Sequence, residues 1–409
     1  RGPAAGRALR ARPRARPRDR RGPRALAGRA SRASRRPTPS ARRPRPDPDR
    51  AADRVDARAV SLADGAEASL PLTGASRAIV ATNPASFLRR LRWRAEYAAV
   101  RGAELMFLIL PPAAAIALAR GLGRLWYHLD RSRRRTMLEN LRVAMGDGLD
   151  DRGRRALARR ASEHAFTLLS EIMTRRRDIP NLRTFRRRTR MLGDGEALRA
   201  DIREGKGGIL LTAHLGNWET AGAYLAHERV PFTAIARAVP NPYVQAHLMG
   251  SRSQDFDVQE KRGAVQHTVD AVRAGRWVAM LGDQNAGGHG LFVPFFGLDA
   301  STYPLPATLA VRHGFRVYFA AALRRGPGHR YDILVRRYVT PEGLDHRAAE
   351  RHLLVAYHAA LEAWIREAPE QYFWMHRRWK TRPKGEVAGP HVPVYDHRGP
   401  RKRPKPVRA

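Results

Sequence analysis

The chain has 409 residues, enough for one large domain or two ordinary ones. It contains no cysteine, which excludes disulfides, thiolate metal sites and a cysteine nucleophile. The formal net charge is +39, so an anionic partner is expected: nucleic acid, an anionic membrane surface or a phosphorylated substrate.

Both ends of the chain are predicted to be disordered. Residues 1–75 are rich in Arg and Pro, show no apolar periodicity and lack the apolar stretch of a signal peptide. Two interpretations of this tail stay open, an arm that binds RNA or a membrane and a segment without a function, including an extension of the gene model. Residues 386–409 are predicted to form a second, basic tail, which leaves 76–385 as the folded domain.

Residues 87–129 begin the domain with a basic stretch followed by a mostly apolar one, 105–118. The apolar stretch is shorter than the about 20 residues that cross a bilayer, and Pro111-Pro112 interrupts it. We therefore predict a helical region that lies at a membrane interface or is partly inserted, and the alternative is a buried core helix. Basic helices are predicted to follow at 131–145 and 152–176.

The most informative stretch is GGILLTAHLGNWE, residues 207–219. Residues 209–213 are strand formers and are followed by His214, while Asn217 is a typical cap for a helix that comes next. In open α/β sheets ligands bind at the carboxyl ends of strands. His214 is therefore a candidate functional residue.

His214 and Glu219 are five residues apart in an H-x4-E motif. On one continuous helix their side chains would diverge by about 140°, so they meet only if a turn separates them, and residues 215–217 supply one. We predict that Glu219 contacts the imidazole, fixes its tautomer and leaves the other ring nitrogen to take a proton from a hydroxyl. A core histidine capped by its neighbour is the alternative. A zinc site is disfavoured, because the sequence has no histidine pair at i, i+4.

Strands and helices alternate through the rest of the domain, which predicts an α/β fold of three layers. Polar residues again follow a strand at Asp283 and Gln284. The predicted strands are 230–237, 277–281, 315–323 and 331–339, and the predicted helices are 264–274, 348–368 and one that opens near residue 243.

Four blocks of this sequence resemble the bacterial lipid A late acyltransferases, a branch of the lysophospholipid acyltransferase superfamily. They are HLGNWE, an Arg before an Asn-Pro turn, DQ with VPFFG, and a terminal HRRWKTRP block, and together they cover roughly residues 90–385. The resemblance implies a three-layer mixed sheet flanked by helices, with a membrane-associated helical region at its N-terminal end.

The resemblance also implies roles for individual residues. His214 would be the general base, oriented by Glu219. Arg237, Arg252 and Arg378 would stabilise an oxyanion or hold a substrate phosphate; the alternatives are surface arginines for the first two and a block that only closes the fold for the third. The substrate or acyl pocket is predicted to include Asn217, Asp283, Gln284, Phe295 and Phe296, and a local hydrophobic cluster is the alternative for the two phenylalanines.

The implied reaction moves an acyl group from a thioester to a hydroxyl of a lipid A-type glycolipid precursor, without a metal or other cofactor. Acyl carrier protein or coenzyme A would carry the donor, and the enzyme would work at the cytoplasmic face of the cell inner membrane. Acylation of a mannosylated phosphoinositol or of another lysophospholipid stays open, although such relatives usually have Asp in place of Glu219. A basic nucleic-acid-binding protein would explain the charge but not the polar groups at the strand ends.

Overall fold

The computed structural model describes residues 87–252, 256–260, 263–326, 329–386, 389 and 391–395. The predicted tail 1–75 lies outside these residues, and so do most of 386–409 and residues 327 and 328, between two predicted strands.

Helices and strands alternate along most of the described chain. The helices are α1 (Phe87–Ile109), α2 (Pro112–Leu129), α3 (Arg131–Met145), α4 (Asp151–Asp178), α5 (Leu182–Arg188), α6 (Gly195–Arg203), α7 (Trp218–His227), α8 (Pro242–Arg252), α9 (Ala264–Arg273), α10 (Leu305–His313) and α11 (His346–Glu367). The strands are β1 (Thr189–Gly193), β2 (Gly208–Gly216), β3 (Phe232–Ala236), β4 (Asp257–Glu260), β5 (Trp277–Leu281), β6 (Leu291–Phe295), β7 (Leu298–Thr302), β8 (Arg316–Arg324) and β9 (Tyr331–Tyr338).

Seven of these strands form one sheet in the order β1-β9-β8-β2-β5-β3-β4, which places β2 at its centre. Neighbouring strands are parallel except for the antiparallel pair β8–β9. β6 and β7 pair separately as an antiparallel hairpin. Because β2, β5 and β3 run in the same direction, the residues that follow them lie along one edge of the sheet.

Helices cover both faces of the sheet, and the alternation of side chains along β2 separates two cores. Ile209, Leu211 and Ala213 belong to a core with α3, α4 and α9–α11, whereas Leu210 belongs to a second core with α5–α7. At the start of β2, a Cβ on Gly208 would lie 2.7 Å from a backbone oxygen of β8. Glycine thus lets three strands approach each other here.

The predicted α/β architecture, a sheet flanked by helices, is confirmed. The strands expected from apolar runs are all present, and Asn217 caps α7 by accepting a hydrogen bond from Thr220 N–H. β2 is longer than predicted and extends past His214 to Gly216. The sequence did not predict strands β1 and β4 or the β6–β7 hairpin, and it did not predict helices α5, α6 and α10. β1 and β4 are short edge strands without an apolar run.

Pro111-Pro112 separates α1 from α2, as expected for residues that disfavour a continuous helix. α2 buries Ala115, Ala119 and Tyr127. In the same two helices, Leu105 and Ile109 of α1 and Leu129 of α2 are exposed. Part of this region is therefore core and part is an open apolar surface. No helix in the described residues is both long and apolar enough to cross a membrane.

Candidate active site

His214 lies near the end of β2 with its imidazole against a buried carboxylate from the neighbouring strand. Its Nδ1 lies 2.8 Å from Asp283 Oδ1, and its backbone N–H donates to Asp283 Oδ2 at 3.0 Å. Asp283 follows β5, which pairs with β2, and its side chain is 2% exposed whereas that of His214 is 22% exposed. The carboxylate thus holds both the ring and the backbone of one residue.

These contacts determine which ring nitrogen is able to take a proton. The carboxylate accepts a hydrogen bond, so Nδ1 of His214 carries the proton and Nε2 is unprotonated. Gln284 places its side-chain amide nitrogen 3.4 Å from that Nε2. The rings of Trp218 and Phe373 pack beside the imidazole. The arrangement is that of a base held by a carboxylate.

The carboxylate of Asp283 stays ionised although it is buried. Burial alone would raise its pKa, but the electrostatic interaction with the His214 side chain and the two hydrogen bonds from His214 outweigh burial and hold the pKa of Asp283 below its ordinary value. Among the described residues, no group of three or more His, Cys, Asp or Glu is placed to hold a metal ion.

The C-terminal block of the domain packs directly against the end of β2. Phe373 N–H donates to the carbonyl of His214 at 3.0 Å, and Leu215 forms a β-bridge with Tyr372. Nearby, Nε2 of His376 accepts a hydrogen bond from Asn285 N–H, and burial lowers the pKa of His376 to about 4. This histidine is therefore neutral at physiological pH, although the sequence places it in a basic cluster.

The family model of the bacterial lipid A biosynthesis acyltransferases matches residues 85–381. The chain belongs to this family.

Curated relatives are similar over shorter stretches. The lipid A biosynthesis palmitoleoyltransferase of Escherichia coli K12 is 26% identical over 185 residues, 45% of this chain and 59% of the relative. The lipid A biosynthesis myristoyltransferase of the same strain is 31% identical over 130 residues, 31% of this chain and 39% of the relative. A phosphatidylinositol mannoside acyltransferase of Mycobacterium tuberculosis CDC 1551 is 29% identical over 130 residues, 31% of this chain and 41% of the relative. The matched stretches thus leave two fifths or more of each relative uncovered.

In this member of the lipid A acyltransferase family, the carboxylate that contacts the His214 imidazole is not that of Glu219, as predicted, but that of Asp283. Glu219 pairs with Arg252, whose Nε lies 3.2 Å from its carboxylate and whose Nη2 also donates to it. The expected contact between Glu219 and His214 is replaced by that of Asp283. The turn after His214 does separate the two motif residues, but it leads into α7, where Glu219 faces the end of α8.

The Glu219–Arg252 pair is partly exposed, with side chains 15% and 28% exposed. Such a pair contributes about 1 kcal/mol or less to stability, and even the loss of all of this energy from the transition state would slow the reaction by less than about tenfold. We therefore expect Glu219→Gln to lower acyl transfer by less than tenfold, measured as kcat/KM on a thioester donor. A loss as large as that from Asp283→Asn would show that Glu219 acts on the imidazole after all.

The predicted arginines have different surroundings. Arg237 is exposed directly after β3, at the same edge of the sheet as His214 and Asp283. It stays a candidate for contact with a substrate. Arg252 is neutralised by Glu219, so the structure does not present it as a free cation for an oxyanion or a phosphate.

Three residues predicted to line a substrate pocket are core residues. Asn217 is fully buried and uses its side chain to cap α7 and to contact Glu171. Phe295 is fully buried and stacks on Trp379 at 5.6 Å, and Phe296 is 9% exposed. The β6–β7 hairpin packs these rings inward, so the hydrophobic-cluster alternative describes them. Of the predicted pocket set, Asp283 and Gln284 are the members that contact His214.

Arg378 is also a core residue rather than a phosphate ligand at the surface. Its side chain is 1% exposed, and it donates to Ser301 O at 2.6 Å and to the Thr302 hydroxyl at 2.7 Å. It also contacts Nε2 of His358, and its guanidinium lies over the ring of Phe295. The alternative of a block that closes the fold therefore describes Arg378, which ties the hairpin to α11.

Arg378→Lys is expected to destabilise the protein rather than to alter its choice of acceptor. Lysine lacks the planar fork, and each buried group left without a partner costs about 1–3 kcal/mol. Chemical denaturation would measure this loss. The matched control is Arg377→Lys, a half-buried neighbour, expected to change the free energy of unfolding by about 0.5 kcal/mol or less. Loss of acceptor use without loss of stability would contradict this assignment.

The sequence also did not reveal a buried polar cluster behind the turn that follows His214, made of His164, Glu171 and Arg324. His164 and Glu171 lie on one helix, but Arg324 is 153 residues beyond Glu171, and in so Arg-rich a chain it does not stand out. The sequence did show that Asp283 follows a predicted strand. It did not show that β5 pairs in parallel with β2, which is what brings Asp283 to His214.

Proposed function

We propose that this chain is an O-acyltransferase in which His214 is the general base and Asp283 orients it. The observation that supports this most directly is the pair of contacts from one buried carboxylate to the ring and backbone of His214, at the carboxyl ends of the parallel strands β2 and β5. Membership of the lipid A acyltransferase family supports the reaction class.

In the proposed reaction, Nε2 of His214 removes the proton from an acceptor hydroxyl as the oxygen attacks the carbonyl carbon of a thioester. A tetrahedral intermediate forms with a negative charge on the former carbonyl oxygen. Its collapse breaks the carbon–sulfur bond, and the proton held by His214 passes to the leaving thiolate. Asp283 stabilises the imidazolium in between and keeps Nδ1 protonated throughout.

The negative charge of the intermediate needs donors that are already in place. Arg237 is a candidate because it is exposed at the same sheet edge. Backbone N–H groups at the start of α7 are the second candidate, since this helix begins four residues after His214.

The acyl donor is proposed to be an acyl carrier protein or coenzyme A thioester, and the acceptor a lipid A-type glycolipid precursor. A mannosylated phosphoinositol acceptor is kept as a second candidate because a phosphatidylinositol mannoside acyltransferase is among the relatives. A nucleic-acid-binding role would explain the net positive charge, but it would not explain the His214–Asp283 pair.

Mass spectrometry of lipids from cells with and without the gene tests the function. One acyl chain fewer on a phosphorylated glucosamine disaccharide in the deletion strain would support lipid A acylation. The same loss on a mannosylated inositol lipid would support the second acceptor. Identical lipids in both strains, together with no transfer by the purified full chain, would refute acyl transfer. If a protein of residues 76–395 alone transfers acyl groups to the lipid, the flanking segments are not required for the reaction.

We further propose that the protein sits on the cytoplasmic face of the inner membrane through residues 87–129. α1 carries exposed Leu88 and Leu91 among arginines, and exposed Leu105 and Ile109 at its other end. Basic residues near an anionic leaflet contribute roughly 1 kcal/mol each. We expect high salt or carbonate to release a substantial part of the protein from membranes. Complete retention after carbonate would instead require a spanning anchor.

A further inference from the structure

Behind the turn that follows His214 lies a buried polar cluster that the proposed reaction does not use. His164 and Glu171 lie on α4, and Arg324 ends β8. His164 is 7% exposed and Glu171 is 1% exposed. Buried charged groups are costly unless they are paired, so their contacts indicate what holds this part of the fold together.

Arg324 and Glu171 form a two-pronged ion pair. Nε of Arg324 donates to one carboxylate oxygen at 2.7 Å and Nη2 donates to the other at 2.5 Å. Burial alone would raise the pKa of Glu171, but the charge and hydrogen bonds of Arg324 outweigh it and lower the pKa. The pair therefore stays charged and rigid inside the protein.

The third guanidinium nitrogen determines the tautomer of His164. Nη1 of Arg324 lies 2.7 Å from His164 Nδ1, and a guanidinium only donates, so Nδ1 accepts. The ring proton is then on Nε2, which donates to the carbonyl of Gly216 at 3.3 Å. Burial and the charge of Arg324 lower the pKa of His164 well below its ordinary value, so the ring stays neutral in the physiological range.

The backbone that receives this hydrogen bond has little freedom. Gly216 has φ +64°, and a Cβ there would lie 1.9 Å from the carbonyl oxygen of Ala322. The next residue, Asn217, donates its backbone N–H to that same oxygen at 2.8 Å and its side-chain N–H to Glu171 at 3.0 Å. The ion pair thus holds the Gly216 carbonyl through His164, and Glu171 holds Asn217 by a direct hydrogen bond.

His164 also lies beside the proposed base. It lines a small cavity of about 10 Å³ together with His214 and Trp218. The hydrogen bond from His164 reaches the backbone two residues after His214. A displacement of this turn would therefore move the imidazole relative to Asp283.

We propose that His164 is a positioning residue for His214: it ties the Gly216 carbonyl to the Glu171–Arg324 ion pair and so fixes the turn that aims the imidazole. This rests on the proposed function, in which His214 takes the proton. His164 does not contact the substrate. Its effect passes through the backbone, so it is expected in kcat rather than in KM.

The test compares His164→Leu with His164→Gln in the full-length protein. Leucine removes the donor to Gly216, and a misplacement of a reacting group by about 1 Å costs about 10²-fold, so we expect kcat to fall roughly 10–100-fold with little change in KM. Glutamine can place an amide N–H where Nε2 was, and it is expected to restore most of kcat. The matched control is His358→Leu, which removes a histidine that is 1% exposed and held by Arg378 and Pro294 O, outside this cluster.

Hydrogen–deuterium exchange of residues 214–220 provides a readout that does not depend on acyl transfer. Faster exchange in His164→Leu, but not in His164→Gln or His358→Leu, supports the positioning role. Unchanged exchange in His164→Leu, or a fall in kcat that His358→Leu reproduces at equal loss of stability, overturns it. If the wild type transfers no acyl group while His164→Leu still speeds exchange, the proposed function fails and the positioning of the turn stands.

Discussion

Replacing His214 with alanine is expected to lower acyl transfer by about 10²–10⁴-fold, because the acceptor hydroxyl then loses its general base. The residue is partly exposed at the end of β2, so its removal leaves no large buried cavity, and the variant should fold. Turnover of an acyl thioester with the lipid acceptor, at saturating concentrations of both, measures the loss in kcat.

The control for this variant is its thermal unfolding, which should stay cooperative with a midpoint lowered by several degrees at most. Loss of the hydrogen bond to Asp283 Oδ1 leaves a buried carboxylate with one partner fewer, so a modest destabilisation of about 1–3 kcal/mol is anticipated. Unchanged turnover in the folded variant would remove His214 from the mechanism, and with it the reason to assign a role to Asp283.

Local patterns in the sequence were sufficient to locate the central strand and its histidine. The apolar run of β2 and the cap at Asn217 are short-range signals, and both appear in the structure where they were expected. The edge strands β1 and β4 carry no such signal, because partly exposed strands need no continuous apolar run. The hairpin that holds Phe295 was hidden because Pro294 lies within one of its strands.

The carboxylate that contacts His214 could not be predicted from the sequence, for a different reason. Two carboxylates followed apolar strands, Glu219 five residues after His214 and Asp283 sixty-nine residues after it. Distance along the chain favoured the first, whereas contact depends on which strands are neighbours. Strand order is a tertiary property, and the parallel pairing of β5 with β2 decides it.

The same limit explains the misplaced arginines. Arg252 and Arg378 were identified from their places in motifs, but charge alone does not say whether a guanidinium meets solvent, a carboxylate or the core. Glu219 neutralises the first, and carbonyl, hydroxyl and imidazole groups surround the second.

The predicted C-terminal tail was misplaced for the same reason. Tyr395 lies within it, yet this residue is 5% exposed and its hydroxyl donates to Asn140 at 2.5 Å.

Asp283→Asn is expected to have the second large effect, of up to about 10⁴-fold, the loss seen when the aspartate of a Ser-His-Asp triad is replaced by asparagine. Asp283 accepts two hydrogen bonds from His214, one from the ring and one from the backbone N–H. An asparagine side chain has one acceptor and one donor group. In one of the two contacts its N–H would therefore face another N–H, and that hydrogen bond would be lost. If the amide N–H faces the ring, Nδ1 must accept and Nε2 carries the proton, which prevents it from acting as a base.

The charge of Asp283 is present throughout the neutral range, because its pKa lies below the ordinary 3.8, and asparagine removes it at every pH. Raising the pH should therefore not rescue the variant. Residues that act as one unit are not additive, so the double variant with His214→Ala should be no slower than His214→Ala alone. Glu219→Gln is the matched control, since it removes one carboxylate charge close to the same turn. If Asp283→Asn and Glu219→Gln cost the same small factor, Asp283 is a structural neighbour of His214 and not the group that orients it.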